Sequence, residues 1–124
     1  MPRRIVVVGS REYPDMTEVA QFIFEQERDT VIISGGAAGV DTVAIHEARR
    51  HRMPYEVYPA NWSKHGRSAG AIRNREMVDK ADEVVAFWDG KSRGTKITID
   101  YAKAQRKPLR VVAAGASPEP KESE

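Results

Sequence analysis

Val31-Ile32-Ile33-Ser34-Gly35-Gly36-Ala37-Ala38-Gly39-Val40-Asp41-Thr42 sets an unbroken β-branched run against a turn of small residues. The apolar run, with Thr30 before it, reads as a strand over 30–34; having no polar alternation, it suits a strand buried on both faces of a parallel sheet. Beyond the glycines, Val40, Val43, Ala44 and Ala48 recur at helical spacing as far as about Arg52, where Met53-Pro54 stops the helix. The unit is strand, glycine turn, helix. Upstream, Ile5-Val6-Val7-Val8 runs into Gly9-Ser10, and Pro14-Asp15 opens a helix whose Val19, Phe22, Ile23 and Gln26 share one stripe.

The alternation continues downstream. Tyr55 to Tyr58 reads as a third strand, and Pro59 to Gly70 as a polar loop long enough to suggest a functional role. Ala71 to Lys80 reads as a third helix, Glu83 to Trp88 as a fourth strand, Gly94 to Arg106 as a fourth helix and Leu109 to Val112 as a fifth strand. Strands alternating with helices imply right-handed crossovers, so the fold class is α/β: a Rossmann-like three-layer domain with a mainly parallel sheet of about five strands. At 124 residues the chain fits one domain, placed at residues 1–112. Ala, Gly, Ser, Pro, Lys and Glu dominate residues 113–124, read as a disordered tail.

Composition excludes several function classes. With no cysteine there is no disulfide framework, thiolate metal site or cysteine nucleophile. His46, His51 and His65 are the only imidazoles; the spacing of the first two makes no metal pair, and no tightly bound metal is expected. No apolar run approaches membrane-spanning length, and no secretory apolar region follows Met1-Pro2-Arg3-Arg4, so the expected location is cytoplasmic, without a membrane partner. The net charge of +2 is uneven: the last twelve residues carry Lys121 against Glu119, Glu122 and Glu124, which leaves +4 on the body. Seven bases between Lys91 and Arg110 face one acid, Asp100, and this favours an anionic ligand.

In an open parallel sheet, ligands bind beyond the carboxyl ends of the strands, so the informative residues follow each strand. After the first come Gly9, Ser10 and Arg11; after the second, Ser34, Gly35, Gly36, Gly39 and Asp41. After the third comes the loop with Trp62, then Arg73-Asn74-Arg75; after the fourth, Asp89-Gly90-Lys91 and then Ser92, Arg93, Gly94 and Thr95. A small-residue turn at a helix start lets backbone N–H groups approach phosphate, and the same turn can serve packing alone. Two arginines one residue apart on a helix point about 200° apart, which makes Arg73 and Arg75 alternatives for a single contact. Asp41 has two readings, orienting a ribose hydroxyl or capping its helix. Trp62 and Trp88 have two as well, stacking on a base or covering apolar surface.

These segments, in this order, resemble the SLOG superfamily of Rossmann-like domains, and most closely its small YspA-like group, often encoded by bacteria and their phages. The likeness runs from about residue 4 to 112, through Val8-Gly9-Ser10-Arg11, Ser34-Gly35-Gly36-Ala37-Ala38-Gly39-Val40-Asp41, Arg73-Asn74-Arg75-Glu76-Met77 and Ser92-Arg93-Gly94-Thr95. The resemblance implies a pocket for a phosphate-bearing nucleotide or nucleotide-derived small molecule, used for binding or sensing, and an association into homodimers or higher homo-oligomers. Two relatives imply alternatives. LOG-type phosphoribohydrolases cleave the N-glycosidic bond of nucleoside monophosphates with an arginine, matched here by Arg73 or Arg75, and a glutamate, where this sequence has Thr98. Without that carboxylate the expected role is binding rather than catalysis, and no catalytic residue is assigned. The DNA-processing protein A family implies single-stranded DNA as partner, although Ala38 stands where that family places arginine.

Overall fold

Side chains of consecutive strand residues point to opposite faces of a sheet, and in the first strand both faces are filled. The computed structural model describes residues 2 to 113. In β1 (Arg4–Gly9), Ile5 and Val7 enter one core while Val6 and Val8 enter the other, and all four are buried. The same division holds along β2 (Val31–Ser34) and β4 (Glu83–Trp88), where Ile32, Val85 and Phe87 face the first core and Ile33, Val84 and Ala86 the second. Two-sided burial is the reason these strands read as continuous apolar runs.

The first core is closed by α1 (Met16–Glu25) through Val19, Phe22 and Ile23, and by α2 (Val40–Arg50) through Val40, Ala44 and Ala48. The second is closed by α4 (Ala69–Lys80) through Met77 and Val78, and by α5 (Arg93–Ala104) through Ile99 and Ala102. Strands β3 (Tyr55–Val57) and β5 (Leu109–Ala113) complete a five-stranded sheet of order β3-β2-β1-β4-β5, with every pairing parallel. This is the α/β three-layer arrangement expected of the sequence.

Caps fix where the helices begin. The Asp15 side chain accepts from the Thr17 amide at the start of α1, and the Ser92 hydroxyl accepts from that of Thr95 at the start of α5. One segment differs from its reading. Within the expected loop over 59–70, Asn61 caps a one-turn helix, α3 (Trp62–His65), followed by a 3-10 turn at Gly66–Ser68. Segments this short are held by capping bonds and carry no hydrophobic period, so their composition reads as loop. Strand β5 ends at Ala113, one residue past the expected boundary, and the expected tail otherwise lies outside the described residues.

The chain leaves β1 toward β2 and β3, then returns across the sheet to place β4 on the other side of β1. Between β1 and β4 the strand order reverses, which opens a crevice at their carboxyl ends. Phe87, fully buried, meets Tyr13 and Phe22 edge to face at centroid distances of 5.6 and 6.0 Å. Truncating Phe87→Ala is expected to lower unfolding free energy by about 3–5 kcal/mol. Urea denaturation monitored by circular dichroism checks this.

Candidate functional site

The crevice between β1 and β4 is a cleft of about 160 Å3, lined by Val8 and Gly9 at the end of β1 and Arg11 after it, Ala37, Ala38 and Asp41 after β2, Arg73 and Asn74 from α4, and Ser92, Gly94 and Thr95 at the start of α5. Residues from four separate chain segments therefore converge where the topology leaves an opening. A larger hollow of about 480 Å3 between α1 and β5, over Phe22, Phe87 and Val112, includes none of the turn residues singled out from the sequence.

Arg73 is a buried member of the cleft, only 9% exposed. Its Nη1 donates to the Gly35 carbonyl at 2.6 Å and the Tyr58 carbonyl at 3.1 Å, and its Nε donates to Asn74 Oδ1 at 2.7 Å. Asn74 Nδ2 in turn donates to the Thr98 hydroxyl at 2.9 Å, which donates to the Gly94 carbonyl at 3.1 Å. One relay thus runs from the ends of β2 and β3, through α4, to the first turn of α5. The Nη2 edge has no hydrogen-bond partner among the described residues. A guanidinium carries five N–H donors, so this one is fixed on two sides and open on a third.

The glycine turn serves that guanidinium. A Cβ on Gly35 would stand 2.5 Å from Arg73 Nη1, so only glycine lets the guanidinium seat against the turn. Gly36 has φ of 76°, a conformation that glycine adopts without strain, and its nearest neighbour is Val57. Neither lines the cleft; Ala37 and Ala38 do.

Asp41 lies in the first turn of α2 and is 5% exposed, with one carboxylate oxygen accepting from the Ala37 amide at 3.3 Å. Burial pushes its pKa up to about 6, against the opposing pull of the Ala37 amide, the Arg73 charge and the Gly35 amide. A carboxyl poised there can gain or lose a proton near neutral pH. Asp89 behaves oppositely: the Ser92 and Lys91 amides hold its carboxyl below the usual range, and that tight turn sets the start of α5.

Of the residues expected at the site, Gly9, Arg11, Asp41, Arg73, Ser92, Gly94 and Thr95 meet in the cleft. Ser10 and Ser34 are buried behind it: the Ser10 hydroxyl accepts from the Asp89 amide and joins the ends of β1 and β4, while the Ser34 hydroxyl donates to the Asp41 carbonyl. Gly39 packs against the Arg11 backbone. Arg75 is exposed and outside the cleft, and Arg93 lines a neighbouring pocket. Trp62, 60% exposed, stands beside the cleft, near Gly70. Ala37, Ala38 and Asn74 were not singled out by residue type. Asn74 lies between the two arginines, and its position there was the available signal.

A parallel α/β sheet with its cleft at the strand switch point defines a Rossmann-like domain. The chain belongs to the YspA, cpYpsA-related SLOG family, whose model matches residues 3–65. It is 34% identical to the Gene 61 protein of Mycobacterium phage D29 over 126 residues, covering 94% of this chain and 99% of that protein. Its fold is similar to DNA processing protein A from Streptococcus pneumoniae, with a TM-score of 0.77 at 19% identity, covering 89% of this chain and 50% of that one. It is also similar to DNA processing protein A from Helicobacter pylori, described for its single-stranded DNA binding mode, with a TM-score of 0.66 at 21% identity, covering 89% and 65%. The chain therefore spans half to about two thirds of those structures.

The raised pKa of Asp41 fixes the sign of a pH effect. The folded chain holds this proton more tightly than the unfolded chain, whose carboxyl titrates near 3.8. The contribution of Asp41 to stability is therefore greatest below that pH and is lost as pH rises through about 6, by on the order of 3 kcal/mol. Asp41→Asn is expected to be more stable than the parent at pH 7–8, with the gain disappearing below about pH 4. Chemical denaturation at a series of pH values checks this, and parallel curves for the two proteins would contradict it.

Proposed function

We propose that the cleft binds the phosphate of a nucleotide or nucleotide-derived ligand, with Arg73 Nη2 and Arg11 supplying charge and the first turn of α5 supplying backbone N–H groups. The observation that carries this reading is the buried guanidinium of Arg73, held by two carbonyls and an amide, with one edge left unpaired among the described residues beside an open cleft. Burying a cation without an ion-pair partner is unfavourable, and Asp41, which feels its charge, is itself pushed toward its neutral form. An anion in the cleft would supply the missing countercharge, and a protonated Asp41 would not repel it. Helix starts favour the same charge, because their first N–H groups lack intrahelical acceptors.

At about 160 Å3 the cleft is smaller than the roughly 300–1,000 Å3 typical of pockets that enclose a whole small-molecule ligand. The phosphate enters it and the remainder of the ligand lies across the rim, where the exposed indole of Trp62 offers a surface for a base.

Single-stranded nucleic acid is a second reading, supported by the likeness in fold to the DNA processing protein A structures and by the +4 charge of the body. It places a backbone phosphate in the same cleft. Base–ribose cleavage is less well supported. Thr98 stands where the LOG pattern has glutamate, and it is buried with its hydroxyl bonded to Asn74 and Gly94.

Calorimetric titration with AMP tests the proposal. Arg73→Lys keeps the charge but loses the planar fork, and is expected to weaken binding at least tenfold, the scale of one charge-assisted hydrogen bond of about 1.5–3 kcal/mol. Arg75→Ala, at an exposed position outside the cleft, is expected to change affinity less than about twofold. The reverse pattern would place the ligand elsewhere.

A further inference from the structure

A second hollow, of about 310 Å3, shares the Ser92 wall of the cleft and opens on its α5 side. Its surface is mostly apolar, formed by Trp88 and Ile97, and Lys91, Arg93 and Lys96 stand around it. Ile97 is 45% exposed and forms this apolar surface together with Trp88. The indole of Trp88 is held in place, because its Nε1 donates to the Ser92 carbonyl at 2.9 Å. Lys96 is paired with Asp100 at 2.9 Å, and Asp89 is engaged by the amides of its own turn, which leaves Lys91 and Arg93 as cations with no ion-pair partner among the described residues. A rigid aromatic wall, an exposed aliphatic side chain and two such cations are the hardware for a base and its phosphate.

On the opposite side of the cleft stands Trp62. A Cβ at Gly70 would make ordinary contacts with both the Trp62 ring, at 3.6 Å, and Arg73 Nη2, at 3.8 Å, so the indole and the open edge of the guanidinium stand close together over that residue. The phosphate cleft is thus flanked by two tryptophans, one on the α3 side and one on the α5 side. A mononucleotide has one base and can use only one of them.

We propose that the ligand consists of two base-bearing units joined through phosphate, with the linking phosphate in the cleft, one base against Trp62 and the other in the hollow formed by Trp88 and Ile97. This rests on the phosphate reading above and narrows its ligand class from any nucleotide to a phosphate-linked dinucleotide. The linkage occurs both in free dinucleotides and within a nucleic-acid strand.

Calorimetry with AMP, the dinucleotide pApA and a ten-residue oligodeoxyadenylate tests the proposal. The dinucleotide is expected to bind at least tenfold more tightly than AMP, the scale of one added stacking contact. Ile97→Glu, an exposed substitution that sets a carboxylate beside the Trp88 hollow, is expected to bring pApA down to the affinity of AMP, with circular dichroism unchanged. Further tightening with the oligonucleotide identifies a strand as the source of the linkage, and no gain beyond pApA identifies a free dinucleotide. Equal affinity of the parent protein for AMP and pApA would overturn the second unit while leaving the phosphate reading intact. So would a parallel loss of both ligands in Ile97→Glu. Failure of all three ligands to bind would overturn both.

Discussion

The seating of the Arg73 guanidinium against the carbonyls of Gly35 and Tyr58 is the constraint around which the carboxyl edge of the sheet is organised. A single side chain from α4 closes the ends of β2 and β3, and through Asn74 and Thr98 it reaches the first turn of α5. Removing it would leave two carbonyls without their donor, and each buried polar group left unpaired costs about 1–3 kcal/mol. The same contacts fix its orientation before any ligand arrives. Preorganisation of this kind lowers the entropy lost on binding, since the side chain has no rotamer freedom left to give up.

Glycine at position 35 has a corresponding explanation. Glycines between a strand and a helix are usually read as room for a phosphate to reach backbone amides. Here the room at Gly35 is filled by the guanidinium, and the cleft lies on the other side of that cation, against Ala37 and Ala38. The protein therefore has a buried cation at the place where a bare backbone nest would otherwise be the main attraction for an anion. Asp41, which feels the Arg73 charge, has a carboxyl pushed up to about 6 by burial, and the proposed anion would couple its binding to proton uptake, because a negative neighbour raises a carboxyl pKa further.

Most of the fold was legible in the sequence because its strands are buried on both faces. Ile5 to Val8, Val31 to Ile33 and Val84 to Phe87 have no polar alternation, and the helical segments between the strands make the connections crossovers. The segment over 59–70 was not legible, since a one-turn helix and a 3-10 turn rest on the Asn61 cap rather than on any period. Within the site, the residues following β1 and β4 could be placed from topology alone. The choice between Arg73 and Arg75 could not, because helical geometry says that they point apart and leaves open which one turns inward. Packing decides it: Arg73 shares the inner side of α4 with Met77, and Arg75 faces water. The relay through Asn74 is equally invisible in one dimension, as it depends on α4 and α5 lying side by side.

The cleft at the β1–β4 switch point, with Arg73 at its back, is proposed to receive phosphate. This is tested most directly by a two-dimensional 15N NMR titration with inorganic phosphate, observing both backbone amides and arginine side-chain N–H groups. Saturable shifts are expected at Gly9, Arg11, Gly94, Thr95 and the Arg73 guanidinium, with Arg75 unmoved. Saturable shifts confined to other surfaces, with the Arg73 resonances unchanged, would contradict it.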